Sequence, residues 1–146
     1  MKKRILMGLT ALAVVGTLTG CGSKSSKTLT CTQSTEADGM KIEEKLVYKL
    51  KNNKVNKLIE TRKVTFDGES KDLLEEYKNS AKESVDSFKD IEGVNAKTDT
   101  KDNTITTTIT YDAKKVDSSL KDAQLLNESY ESIKEIKGQQ NGYTCK

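Results

Sequence analysis

From residue 40 onward the apolar side chains fall on alternate positions, Met40, Ile42, Leu46, Tyr48 and Leu50, with a charge at Glu44 breaking the series. A period of two belongs to a strand with one buried face, so residues 40–50 predict a long half-buried strand. Asp38-Gly39 before it and Asn52-Asn53 after it are turn formers that tolerate positive φ, which predicts a hairpin at each end. Upstream, Leu29, Cys31 and Gln33 share one side of a Thr-rich extended run. Downstream, residues 55–67 place Leu58, Val64 and Phe66 on one face but interpose Glu60 and Arg62. That imperfect alternation predicts a bulge or an exposed portion.

The period then changes. Leu73, Leu74, Tyr77, Ala81, Val85, Phe88 and Ile91 recur at three- and four-residue intervals among Glu, Lys and Ser, the pattern of an amphipathic helix of about five turns. Ser70 or Asp72 would cap it and Gly93 would end it. Residues 94–101 and 104–111 are two extended runs around Asp102-Asn103, the second alternating Ile105, Thr107, Ile109 and Tyr111 with Thr. Residues 113–124 read as a loop with a helical turn near 116–120. A shorter helix over residues 127–137 is stopped by Gly138, and Gly142-Tyr143-Thr144-Cys145 closes the chain as an extended piece. The expected fold is therefore α+β, in the order βββαββα. An antiparallel twisted sheet would pack on one face against the long amphipathic helix, with the shorter C-terminal helix beside it.

Before this domain the pattern is of another kind. Met1-Lys2-Lys3-Arg4 is basic, residues 5–18 are apolar and almost uncharged, and small residues then lead to Cys21. This is the anatomy of a secretory signal peptide, and the run is shorter than the roughly 20 residues that span a bilayer as a helix. Leu18-Thr19-Gly20-Cys21 resembles the bacterial lipobox, which makes residues 1–20 the signal peptide and Cys21 the lipidated first residue of the mature protein. A diacylglycerol at Cys21 would hold the domain on the membrane without a spanning helix. Residues 21–28 carry no other apolar side chain and read as a flexible tether, leaving 29–146 as one domain.

Removing the signal segment changes the cysteine and charge arithmetic. With Cys21 lipidated, Cys31 and Cys145 remain, and an exported pair is most simply a disulfide. Lys2, Lys3 and Arg4 account for the whole formal net charge of +3, so the mature chain is neutral. Its Lys and Arg alternate with Asp and Glu along the sequence, which reads as a solvated surface and argues against nucleic acid. With no Trp and two Phe, the core is expected to be thin.

Candidate chemistry is sparse. The chain has no His, which removes Ser-His and Cys-His arrangements and the usual zinc sites. Glu43-Glu44 and Glu75-Glu76 are adjacent acids among lysines and read as solvated faces rather than a carboxylate dyad. Asp99, Asp102 and Asn103 read as turn formers, since they lack the Gly and terminal Glu of a calcium loop. Tyr48, Tyr77, Tyr111 and Tyr130 fall on apolar faces and read as core, whereas Tyr143, beside the expected disulfide, reads as core with an exposed contact residue as its alternative.

Taken together, Cys21, Leu29-Thr30-Cys31-Thr32, Val47-Tyr48 and the closing Gly142-Tyr143-Thr144-Cys145-Lys146 resemble the YehR-type family of small uncharacterised bacterial lipoproteins. The resemblance implies a compact α+β domain and no particular activity, cofactor or site residue. The Lys- and Asn-rich, Pro-free composition further suggests a low-GC Gram-positive source, with the anchor in the outer face of the cytoplasmic membrane. The expected function is a non-enzymatic envelope lipoprotein, without cofactor or metal, that binds an envelope protein, a wall component or a small ligand. The alternative is a small-molecule carrier or sensor with a pocket between helix and sheet.

Overall fold

The computed structural model describes residues 25–68, 71–117, 119–120 and 125–146. Cys21, the expected signal segment and Ser70 lie outside the described residues. The strands are β1 (Ser26–Ala37), β2 (Met40–Lys51), β3 (Lys54–Phe66), β4 (Val94–Lys101), β5 (Thr104–Asp112) and β6 (Thr144–Cys145). They form one sheet in the order β4-β5-β3-β2-β1-β6, with every neighbouring pair antiparallel. The helices are α1 (Lys71–Asp86) and α2 (Tyr130–Glu135), and α2 runs directly into a π-helical turn at Ile136–Gln140.

The hairpins form where the turn chemistry places them. Asp38 (φ 50°) with Gly39 (φ 73°), and Asn52 (φ 53°) with Asn53 (φ 59°), are left-handed at both central positions. Such turns match the right-handed twist of the flanking strands. β1 begins at Ser26, so the last residues of the span read as tether belong to the sheet, where Ser26 pairs with Lys51. The register of β2 against β3 slips between Lys49 and Leu50, and this is where the bulge lies. Glu60 and Arg62 are not on it.

The expectation of one long amphipathic helix packed across the sheet is corrected. The six-stranded sheet dominates the chain, and both helices are short, 16 residues for α1 and six for α2. α1 stops at Asp86 instead of reaching Ile91, and the backbone turns away with Ser87 Oγ donating to the carbonyl of Ser84. Ser and Asp side chains near a helix end compete for its backbone groups in this way. Val85, Phe88 and Ile91 consequently belong to neither core cluster, and Leu73 is 38% exposed.

α1 covers a small cluster, packing Leu74, Tyr77 and Ala81 against Val64, Phe66 and Ile105. Tyr77 meets Phe66 edge-on at 5.3 Å between centroids, a favoured aromatic geometry. The larger cluster gathers Leu29, Cys31, Leu46, Tyr48, Leu58 and Tyr111 from the sheet. Leu126 and Ile133 of the C-terminal segment close it. Ser129 caps α2 by accepting from the Ser132 amide, and Gly138 does not stop the chain's winding. Among the described residues, the sheet thus has one covered face, shared between two separate covers, and one open face.

On the open face, strand alternation sorts the charges. The buried positions of β2 are even-numbered, so Lys41, Lys45, Lys49 and Lys51 turn outward and are all exposed. β3 adds Lys54, Lys57 and Lys63, and β4 adds Lys97 and Lys101, again exposed. The acids on that face are Glu36, Glu43, Asp99 and Asp112. Lysines that alternate with acids along the sequence are therefore gathered on one side of the sheet.

Candidate functional site

On the covered face, the interruptions in the apolar pattern line up. Gln33 pairs with Glu44, Glu44 with Arg62, Arg62 with Thr107, and Thr107 with Thr98. Five strands thereby contribute one polar row that crosses the sheet between the two apolar clusters. Glu60 stands in the adjoining row, between Leu46 and Ile109. Because neither helix cover spans these rows, a groove of about 390 Å³ opens above them. Its floor carries Glu44, Glu60, Arg62 and Thr107 beside Leu46, Val64, Ile105 and Ile109. Tyr77, Ser80, Ala81 and Ser84 of α1 form one wall, and Lys137 and Tyr143 form the other.

The polar groups are held by specific bonds. Tyr143 donates its hydroxyl to Glu44 Oε2 at 2.6 Å, and Arg62 Nε lies 3.7 Å from Glu44 Oε1. Tyr111 donates to Glu60 Oε2 at 3.4 Å. The Tyr143 ring is fixed from the other side by Lys137, whose Nζ lies 5.4 Å from the ring centre and whose carbonyl accepts from the Tyr143 amide. Gln33 Nε2 donates to the carbonyl of Asn141, closing the outer end of the row. Burial holds the Tyr143 phenol well above its ordinary range, with the hydrogen bond to Glu44 and the charges of Glu44 and Glu60 adding to the shift. Tyr48 beneath it is raised in the same way by burial, then by Glu60 and Tyr143. The Tyr143 phenol is therefore a neutral donor to Glu44 at physiological pH.

That shift has a sign that can be checked. An acid whose folded-state pKa is raised contributes stability that is complete below the unfolded-state value, here 10.0, and is lost as pH rises past it. Stability should fall above about pH 10 as the unfolded Tyr48 and Tyr143 ionise. In a spectrophotometric titration, their phenolate absorbance should appear only with loss of the near-ultraviolet circular dichroism. Phenolate from both residues in a still-folded domain would contradict the buried geometry.

The residues singled out from sequence are distributed as follows. Cys31 and Cys145 are disulfide-bonded, joining β1 to β6 at directly paired positions 114 residues apart in sequence. Glu43 and Glu44 point to opposite faces. Glu43 bridges Lys41 and Lys63 on the open side, which draws its carboxyl below the usual range against the opposing effect of burial. Glu75 and Glu76 are exposed on α1. Asp102 takes a left-handed turn conformation, and Asn103 Nδ2 donates to the Phe66 carbonyl. Among the described residues, no group of three or more His, Cys, Asp or Glu could hold a metal. Nor is any helix among them long and apolar enough to cross a membrane. Tyr143 packs against the larger cluster, as a core reading expects, but its hydroxyl belongs to the groove. The site residues missed from sequence are Glu60 and Arg62. Their signal was the break in the β3 alternation, which becomes legible only once the register sets it beside Glu44.

Comparison with known proteins adds the fold and little else. No protein-family model and no curated protein matches the chain. A solution NMR structure of a protein from Streptococcus pneumoniae TIGR4 superposes with a TM-score of 0.51 over 99% of each chain, at 16% sequence identity. At that identity the likeness concerns the fold alone. The disulfide adds a compartment, since such bonds persist in oxidising surroundings, and the domain is accordingly extracytoplasmic.

Proposed function

We propose that the chain is a non-enzymatic binding module of the bacterial envelope, anchored through a diacylglycerol at Cys21, whose groove between α1 and the C-terminal segment takes a small amphipathic ligand. The observation that carries this reading is the polar row itself. Glu44, Glu60, Arg62 and Thr107 occupy inward positions beside the apolar Leu46, Val64, Ile105 and Ile109, and apart from the Tyr143 hydroxyl on Glu44 the groove stays open above them. These groups keep contact with solvent, with the Arg62 side chain 55% and the Glu44 side chain 33% exposed, and they stand beside an apolar floor with room above, the lining of a small-molecule site. A ligand with an apolar body and both donor and acceptor groups matches this lining. The Cys21 anchor is supported by the basic, apolar and small-residue order of residues 1–21.

The experiment uses the chain from Gly22 onward, since residues 25–146 contain both core clusters and the disulfide. The purified domain is exposed to lipid and wall extracts and examined by native mass spectrometry beside Ser80→Trp. Ser80 is exposed on α1 and lines the groove, so the indole fills the space without disturbing either cluster. The wild-type domain should retain an added mass that Ser80→Trp does not. Equal retention by both would place binding elsewhere, and retention by neither would remove the groove as a ligand site.

A further inference from the structure

We propose that the open face of the sheet is an electrostatic docking surface for the anionic headgroups of a phospholipid membrane. Nine lysines and four acids share that face, an excess of five positive charges on a mature chain that is formally neutral. The charge is concentrated at one end. Lys49 is paired directly across from Lys57, and Lys51 directly across from Lys54. Like charges in direct cross-strand register destabilise a sheet, so two such pairs in one hairpin are kept against a local cost. Among the described residues, Lys45, Lys49, Lys51, Lys54 and Lys57 form no ion pair. Val47 and Ile59 are paired in the next row on the same face, an apolar spot amid the lysines.

The position of this end selects the partner. β1 begins there, with Ser26 paired to Lys51 and the Asn52 amide donating to the Ser25 carbonyl. Cys21 lies five residues before Ser26, a reach of at most about 17 Å. A lipid on Cys21 would hold the lysine cluster within that distance of the headgroups, so the choice of a membrane over another polyanion rests on the anchor reading above. A polybasic patch beside a lipid anchor is a recognised second membrane signal. With the open face on the bilayer, the groove on the opposite face opens away from it.

The test again uses the chain from Gly22, which lacks the lipid and so reads the face alone. Sedimentation is measured with vesicles of phosphatidylcholine and with vesicles of phosphatidylcholine and phosphatidylglycerol in equal parts. The domain should bind the anionic vesicles and be released by high salt. K49E/K54E turns both lysine pairs into lysine–glutamate pairs, which favour the hairpin, so its loss of binding cannot be misfolding. It should lower partitioning by roughly tenfold or more. K82E/K134E makes the same change of charge on the helices and should bind as the wild type does. Equal binding to both vesicle types, no binding to either, or equal loss in the two variants would overturn the proposal. So would capture by long-chain inorganic polyphosphate without capture by vesicles, which would assign the face to a polymer. Whether Cys21 carries the lipid is read separately, from the mass of the full protein extracted from membranes. An unmodified Cys21 with intact vesicle binding would remove the anchor and leave the docking face standing.

Discussion

Reduction of the Cys31–Cys145 bond should lower the thermal midpoint of the domain by roughly 10–20 °C, a loss of about 2–5 kcal/mol. The bond joins residues 114 apart, and a closed loop of that length lies near the top of the chain-entropy scale, at about 4–5 kcal/mol. Its local setting makes the effect more than entropic. β6 is two residues long and holds its place through paired backbone bonds between Thr30 and Lys146 and through the disulfide. Without the covalent link, so short an edge strand has little to resist fraying. Tyr143 is two residues from Cys145, so release of β6 should also withdraw its hydroxyl from Glu44 and open one wall of the groove. Cys31→Ser/Cys145→Ser, followed by thermal denaturation and by an amide exchange map, checks both parts. An unchanged midpoint, or thiol labelling of Cys31 in the untreated native protein, would contradict the account.

Much of this arrangement is legible in the sequence because it is local. The period-two runs at Met40–Lys51 and Thr104–Asp112 become β2 and β5, and Asp38-Gly39 and Asn52-Asn53 become turns with φ near 50–75°. What is not legible depends on register. Glu44 and Arg62 are 18 positions apart in the chain and look like separate faults in two strands until pairing makes them neighbours. The lysine face is hidden by another effect, since the formal neutrality of residues 21–146 conceals that Lys41, Lys45, Lys49 and Lys51 share a parity in β2. α1 misleads for a third reason. Helical spacing continues through Val85, Phe88 and Ile91, yet spacing says nothing of whether a surface waits to receive them, and no core cluster contains them. The C-terminal segment, weaker in pattern, reaches the larger apolar floor and so closes the larger core.

Ile133→Ala should therefore destabilise the domain more than Leu74→Ala on α1. Ile133 is fully buried in the cluster that includes Leu29, Tyr48 and Leu126, although its helix has six residues. A helix that short is not stable by its own propensity, so tertiary burial must hold it, and Ile133 is its buried residue. Removing a fully buried Ile side chain in a packed core costs about 2–5 kcal/mol. Leu74 is half-buried at the smaller cluster, and Leu74→Ala should cost less than about 2 kcal/mol. Urea midpoints at constant m-value give the comparison directly. The ranking discriminates between the two covers. If Leu74→Ala proved the costlier, α1 would be the element that closes the domain, and the division of the covered face into a large C-terminal cover and a small helical one would be wrong. If Ile133→Ala is costlier, the wall that carries Lys137 and Tyr143 is anchored by the main core. The groove then has one firm side and one side free to adjust, since α1 rests on the smaller cluster.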